Sequence, residues 1–513
     1  WPMTVNGKID KKALPAIEIE TRKTGRAAET PEEMVLCQAT AQVLNLEQVW
    51  ADDDFFALGG DSISAMTLGN RLRQAGYQLK PKDIFSSRQM AVMAKQMKAL
   101  VSTAMVSHQD ESTTIAALPM TRWFDLHFQP ESTFAHAVLM TVPDSVNLSH
   151  LEQGVEALMR AHPALRSQLL PQGALDVLSM QQVKEKRLAA HWLSASQYQP
   201  MQADLVFEQA VQRLNPSQGM MGQCVLGQTE EGRHLVLLAL HHLVVDGVSW
   251  RVLLPELEFA VMAAVDGSTP VIPAEECSLS AWADELASQI PQRREQELAL
   301  WQSQFEGENG ILGARLLATT DRQKHMRHQR SVLSDTQTDA VLSTLTAAYR
   351  ADTESLLLTL VAKACADHFD LPAMRFMLES HGRHPRNEAH DLNRTVGWLT
   401  NEYPVCLSFD ALTVTPAAQN LTPADWIRAT RHQIKAIPDH GLGYSILRYL
   451  DPQSGLAELE QKARPVMLFN YLGRFQQSEQ DWAPRPQAAV FADVFPVKVD
   501  PDAPALYPME LNI

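Results

Sequence analysis

Cysteine is scarce. Five occur among 513 residues, at Cys37, Cys224, Cys277, Cys365 and Cys406. They are far apart, odd in number and form no CxxC, which argues against a disulfide framework or a thiolate metal site and for a reducing, cytoplasmic compartment. Basic residues are also few, 44 against 60 acidic ones, and the net charge of −16 argues against a nucleic-acid partner. Long hydrophobic runs are missing: the apolar stretch Leu235 to Leu240 stops at His241, far short of the ~18 residues of a membrane span. Neither glycine-rich phosphate loop occurs, so nucleotide chemistry has no support. No repeat shows at the ~20–50-residue periods of solenoids. There is no initiator methionine or signal-peptide pattern at Trp1-Pro2-Met3, and Leu506 to Ile513 reads as a strand without a stop signal. The chain is therefore expected to be a piece of something longer.

What remains is globular in character, with 45% hydrophobic and 20% charged residues, and its length predicts roughly three to four folding units. Residues 1–15 are a short basic stretch and 16–29 a charged linker. Residues 30–101 predict a small helical bundle. Its first helix opens on the capping box Thr30-Pro31-Glu32-Glu33 and carries Val35, Leu36, Ala39, Val43 and Leu44 at helical spacing. A loop with Asp52-Asp53-Asp54-Phe55-Phe56 leads to a second helix from Ser62, ending at Gly76, and a third pattern covers Arg88 to Leu100. Residues 102–116 are polar and read as a linker. From Leu118 the pattern is mixed α/β, with helices over 151–162, 252–265 and 356–368 and strands over 233–241 and 466–472.

Two segments carry chemistry. In Gly59-Gly60-Asp61-Ser62, the glycines keep side chains away from a serine hydroxyl at a loop-to-helix junction. Taken alone, the commoner use of such an Asp-Ser pair is an N-cap. The second segment, His241-His242-Leu243-Val244-Val245-Asp246-Gly247, ends an apolar strand. Adjacent strand residues point to opposite faces, so only one of the two histidines can line a given cavity and the other is structural. The same alternation argues against a metal held by the pair. The glycine allows a sharp turn, the aspartate can pair with an arginine and brace the loop, and the free histidine can shuttle a proton near neutral pH. Arg383 and Arg394 are both available as the partner of Asp246.

The segment Asp53 to Ile63 resembles the peptidyl carrier domain of nonribosomal peptide synthetases. The resemblance implies a 4'-phosphopantetheine arm on Ser62, installed by a phosphopantetheinyl transferase, with Asp61 in a position common before epimerization domains. Asn6-Gly7-Lys8-Ile9-Asp10 to Pro15 is similar to the closing motif of an adenylation domain, whose core would be an upstream partner. The histidine segment resembles the signature of the condensation superfamily. That implies an α/β fold of two chloramphenicol-acetyltransferase-like lobes around a tunnel, here over 117–287 and 288–513. The second lobe is expected to be truncated, with a closing strand and helix beyond Ile513. The resemblance also implies that His242 is catalytic, with His241, Asp246 and Gly247 structural.

Further segments resemble epimerization-domain motifs in the family's order: Leu118 to Phe124, Leu378-Glu379-Ser380-His381-Gly382-Arg383, Arg394 to Pro404, Pro438 to Tyr444, and Phe469-Asn470-Tyr471-Leu472-Gly473-Arg474-Phe475. They imply a carrier-tethered epimerase without metal, in which Glu379 and His242 exchange the Cα proton of an aminoacyl or peptidyl thioester and Tyr471 attends the active site, with Arg383 beside it. The thioester carbonyl spreads charge into an enolate, and a carboxylate in a partly desolvated site becomes a stronger base. A downstream condensation domain would then select the D form. Three residues depart from the family pattern: Ser380 for Gly, His384 for Glu, and Ser445 for Gly. The alternatives are an amide-forming condensation domain using the same His242, and a non-catalytic scaffold that docks the carrier.

Overall fold

The computed structural model describes residues 25–44, 46–99, 112–307, 315, 317–318, 320–369, 371, 373–387, 389–408, 422–473, 480–485 and 495–513. The adenylation-like residues 1–15, most of the linker 16–29 and residues 101–111 lie outside them. In the N-terminal bundle, helix α1 spans Pro31–Leu44 and buries Leu36, Ala39 and Leu44, with Thr30 Oγ1 accepting from the Glu33 N–H at 3.2 Å. Helix α2 spans Ser62–Gln74 and packs Ala65, Leu68 and Leu72 into the same core.

The third helix differs from the sequence expectation. Among the described residues of that span only Met90–Ala94 (α4) is helical, and it is preceded by a short helix the pattern did not show, α3 over Pro81–Ser87, with Arg88 at φ 58° between them. Arg88 is drawn out of a helical path because its Nε donates to Asp54 Oδ2 at 2.8 Å and its carbonyl accepts from the Phe55 N–H at 2.9 Å. Beyond α4 the chain is extended, Lys98–Ala99 (β2) pairing antiparallel with Tyr77–Gln78 (β1). The 102–116 linker also ends early: Thr113–Ile115 (β3) pairs with Leu175–Val177 (β6), which pairs in turn with Ser167–Leu169 (β5), and Ile115 is buried.

Besides that three-stranded sheet, the large domain has two larger ones among the described residues. The first runs in the order β13-β4-β9-β8-β7, where β4 is Phe134–Thr141, β7 Leu193–Ala195, β8 Gly222–Gln228, β9 His234–His241 and β13 Val497–Val499. Both of its faces are covered, which is why β9 reads as an unbroken apolar run. Ala135, Ala137 and Leu139 join Leu235, Leu237 and Ala239 against the helix Ala203–Val211. Val138, Met140, Leu238 and Leu240 enter the main core with the helices Leu148–Ala161 and Gly247–Val265. Each such side chain, fully buried, contributes roughly 1.5–3 kcal/mol.

The second sheet runs β11-β10-β12-β14, with β10 Ala373–Ser380, β11 Asn401–Ser408, β12 Met467–Asn470 and β14 Met509–Asn512. Met374, Phe376 and Leu378 face a separate core with the helix Thr353–Phe369. Met377 and Leu468, on the other face, join the large core that takes in residues of both lobes. The second sheet therefore turns its inner face toward the core the lobes share. One strand changes lobes: β13 follows β12 in sequence yet pairs with β4. Residues 288–513 are thus not all in the second lobe, and a three-residue strand leaves no periodicity from which this could be read.

The bundle is docked on the large domain. Helix α2 packs against the helix Gly247–Val265. The Arg73 guanidinium reaches Asp391 Oδ2 at 2.6 Å and also pairs with Glu276. A Cβ on Gly473 would come within 3.3 Å of Ile63 Cδ1, so the α2 N-terminus sits against the segment after β12. Arg73→Glu sets a like charge against both partners and is expected to release the bundle. Small-angle scattering should show a larger radius of gyration, with the melting temperature of the large domain unchanged.

Candidate active site

Strand β9 ends at His241, and His242–Val244 forms a single tight turn before Asp246 caps the helix Gly247–Val265. The two histidines have different surroundings, His241 closing the strand and His242 opening the turn. His241 is fully buried; its Nδ1 accepts from the Leu243 N–H at 3.3 Å, which leaves Nε2 to donate to the Ser132 carbonyl at 3.2 Å. His242 lies on the opposite side. Its ring stacks on Trp398 with centroids 4.0 Å apart, lies 4.0 Å from the His136 ring and meets Phe134 edge-on at 4.8 Å. Burial lowers its pKa to about 4, so the imidazole is neutral, and Nδ1 has no hydrogen-bond partner among the described residues. A neutral ring with an uncommitted nitrogen can accept a proton.

Asp246 takes Arg383, not Arg394. Arg383 Nη1 lies 2.8 Å from Oδ2 and Nη2 3.0 Å from Oδ1, while the backbone N–H of Ser249 and Leu399 donate to the same carboxylate. Arg394 instead binds Glu256 through Nε at 3.0 Å and Nη2 at 2.7 Å. Gly382 makes the turn that delivers Arg383: its φ is 65°, and a Cβ there would lie 1.7 Å from the Leu399 carbonyl oxygen. Ser380 stands in β10, in extended backbone, so the glycine freedom this motif needs is met at Gly382 and not at position 380. Ser380 Oγ lies 3.4 Å from His384 Nε2, and His384 stacks on His440 at 4.4 Å. Ser445 Oγ donates to the Glu402 carbonyl at 2.8 Å.

Glu379 comes from the second lobe, near the end of β10, directly opposite Glu402 of β11. Protein surrounds its carboxyl, and the residue keeps some exposure to solvent. Burial, with a further contribution from Glu510, raises its pKa to about 7, against a hydrogen bond from Asn470 that favours the anion. Glu379 and His242 are not joined by a hydrogen bond or ion pair among the described residues. The segment 394–400 connects them: Trp398 covers His242, and three residues later β11 begins beside Glu379. Tyr471 stands just past β12, half-buried, with Arg251 within electrostatic reach. Sequence patterning did not single out His136, Trp398 or Glu402. A polar residue at position 136 of an otherwise apolar strand was the one available signal.

At the bundle, Asp61 Oδ1 caps α2 by accepting from the Ser64 N–H at 2.7 Å, so Ser62 is the first helical residue and is not needed as the cap. Arg251 stands beside this helix start, donating to the carbonyls of Gly247 at 2.7 Å and Leu472 at 3.1 Å, with Asp61 close enough to act on its charge. A helix N-terminus next to a guanidinium fits a phosphodiester. Among the described residues, no group of three or more His, Cys, Asp or Glu is arranged to hold a metal, and no helix is long and apolar enough to cross a membrane.

Residues 111–494 match the condensation-domain family, and residues 35–95 match the family of phosphopantetheine attachment sites. The chain belongs to the condensation-domain family. Its condensation-family domain follows a carrier domain that takes 4'-phosphopantetheine, as in nonribosomal peptide synthetases. Among curated proteins it is 33% identical, over all of its length, to vanchrobactin synthetase VabF of Vibrio anguillarum. It is 29% identical, over 93% of its length, to tyrocidine synthase 2 of Brevibacillus parabrevis. It spans 18% and 13% of those two proteins. Two solved structures share the two-lobed fold. The epimerization domain from the third module of tyrocidine synthetase B superposes with a TM-score of 0.62 at 23% identity, covering 78% of this chain and 89% of that one. The first condensation domain of the CDA synthetase superposes with a TM-score of 0.53 at 17% identity, covering 78% and 87%.

The condensation-family domain depends on the Asp246–Arg383 pair for stability as well as geometry. Asp246→Ala leaves a buried guanidinium without its carboxylate and is expected to cost about 3–5 kcal/mol. Urea unfolding of the large domain should show the stability fall by that amount, whereas Arg394→Ala should leave Asp246 paired and the His242 turn in place.

Proposed function

We propose that this chain epimerizes a carrier-tethered L-aminoacyl or peptidyl thioester at Cα, giving an L/D mixture within a nonribosomal peptide synthetase. The arm on Ser62, when attached, supplies a thioester whose carbonyl acidifies the Cα–H. Arg251 and the α2 N-terminus would hold its phosphodiester. Glu379, as the carboxylate, removes the proton from one face; a water held by neutral His242, from the other lobe, gives one to the opposite face, and the hydroxide left behind takes the proton from Glu379. Tyr471 is placed in this reading near the developing negative charge. Stabilising an enolate in a site shielded from bulk water is where fixed polar groups contribute most.

The observation that carries the reading is Glu379 itself. A carboxyl with a pKa near 7, held by Asn470 on the inner face of the second lobe, suits a general base at neutral pH. Amide formation by a condensation domain has no need of it. The partners that follow are an upstream adenylation core to load the arm, a phosphopantetheinyl transferase to install it on Ser62, and a downstream condensation domain that takes the D form.

The test is deuterium uptake at Cα in D₂O by protein loaded on Ser62 with an L-aminoacyl-phosphopantetheine. Exchange accompanied by D product is expected, and Glu379→Gln should slow it by about 10²–10⁴-fold. Because Glu379 must lose its proton to act, the rate should climb about tenfold per pH unit below its pKa of about 7. His242, with its pKa lowered to about 4, should add no limb in that range. Amide formation with a second loaded carrier, without exchange, would replace epimerization by condensation. Neither activity would leave a docking scaffold.

A further inference from the structure

Glu379 does not stand alone on its face of the sheet. In the register of β10 and β11, Met377 opposes Pro404 and Glu379 opposes Glu402. Directly opposed residues of an antiparallel pair project from the same face, with side chains close enough to interact. Met377 aligns with Leu468 of β12, and Leu468 with Glu510 of β14, so Glu510 belongs to this face too. Since Met377 and Leu468 enter the large core shared by both lobes and not the separate core of the second, the face carrying these three carboxyls is the one turned toward that shared core. Like charges directly opposed are destabilising, and two carboxylates this close do not both ionise near neutral pH.

The surroundings decide where a shared proton sits. Glu402 is 4% exposed, whereas Glu379 is the more accessible of the two. The Tyr507 hydroxyl donates to Glu402 Oε2 at 3.1 Å. The other ionisable groups facing Glu402 are Glu379 on β10, Glu510 on β14, Glu460 on the helix Leu456–Lys462 and Tyr449 on the helix Leu442–Tyr449. All of these are acids. Two cations lie beside Tyr449: Arg448, which is engaged by Glu460, and Arg464, whose Nη1 donates to the Leu506 carbonyl at 3.5 Å. Burial and the facing Glu379 carboxylate hold the Glu402 carboxyl well above the usual range, outweighing the Tyr507 hydrogen bond that favours its anion, while Asn470 favours the charge on Glu379.

We propose that Glu402 and Glu379 form a carboxylic acid–carboxylate pair that shares one proton, with Glu402 holding the proton and Glu379 the charge. Glu402 is then a positioning residue for the base and not itself a base. The role rests on the epimerase reading for its use in catalysis, but the pair is a property of the folded chain. When the pair loses its second proton, two negative charges oppose formation of an anionic enolate. The exchange rate should therefore fall again at alkaline pH, by about tenfold per unit, giving a bell whose two limbs belong to the pair.

Glu402→Gln keeps the size of the side chain, a hydrogen-bond acceptor for Tyr507 and a donor for Glu379, but removes the second ionisation. Two readouts on the full chain test the pair. In infrared difference spectra at about pH 7, the substitution should remove the C=O band of a protonated carboxyl. In the pH profile of Cα exchange it should abolish the alkaline limb and keep the rising one. Loss of a carboxylate band instead, or an unchanged alkaline limb, overturns the proposal. If the protonated band is lost but neither protein exchanges a Cα proton, the pair stands and the epimerase reading falls. Should Glu402→Gln fail to fold, a ¹³C-carboxyl glutamate titration of the unsubstituted chain decides: two glutamate resonances that each shift in the same two steps are expected, and without them there is no such pair.

Discussion

The bidentate contact between Arg383 and Asp246 holds the two lobes in the relation that everything else requires. Asp246 closes the histidine turn of the first lobe, and Arg383 leaves the end of a strand in the second. The same carboxylate accepts from Ser249 and Leu399, and Arg383 also donates to the Thr395 carbonyl. One buried charge pair therefore fixes the start of the long helix after the turn, the strand end that carries Glu379 and the segment that brings Trp398 over His242. Such a pair adds little net stability over an apolar substitute, because desolvation offsets most of its attraction. What it contributes is geometry, since neither charge can be satisfied with the lobes apart.

Electrostatics inside the site follow from that enclosure. Burial acts in opposite senses on the two candidate proton carriers, lowering His242 and raising Glu379. Both shifts disfavour the charged form, and together they give a neutral imidazole and a carboxyl poised near neutrality. The order of the two proton affinities is thereby reversed from that of the free side chains, about 7 for Glu379 against about 4 for His242, so the carboxylate is the stronger base of the two.

Local parts of the site were legible in the sequence, and long-range ones were not. The different surroundings of His241 and His242 could be read from strand alternation alone, because that is a two-residue rule. The choice between Arg383 and Arg394 could not, since both are arginines at the edge of recognisable segments and only the fold places one beside Asp246 and the other beside Glu256. Glu402 lies inside a recognisable segment too, yet its meaning rests on a cross-strand register that no single strand displays. The third helix of the bundle starts only at Met90 for a related reason: Met90 and Met93 keep helical spacing, but Arg88 is held by Asp54 from a loop far upstream. Ser380 does not disturb its motif, because the positive φ falls at Gly382, two residues away.

The lone strand Val497–Val499, laid along the edge of the first sheet, has a practical consequence for anyone recombining such chains. After β12 the polypeptide visits the first lobe and then returns to place β14 in the second. Neither lobe is a contiguous stretch of sequence, and a cut between them would strip one sheet of its border strand and bare the β4 backbone to other chains. Exchange of parts between synthetases would therefore keep the large domain whole. The natural seam in sequence is the polar run between the bundle and β3, and a junction there leaves the ion pairs of Arg73 to be matched by design.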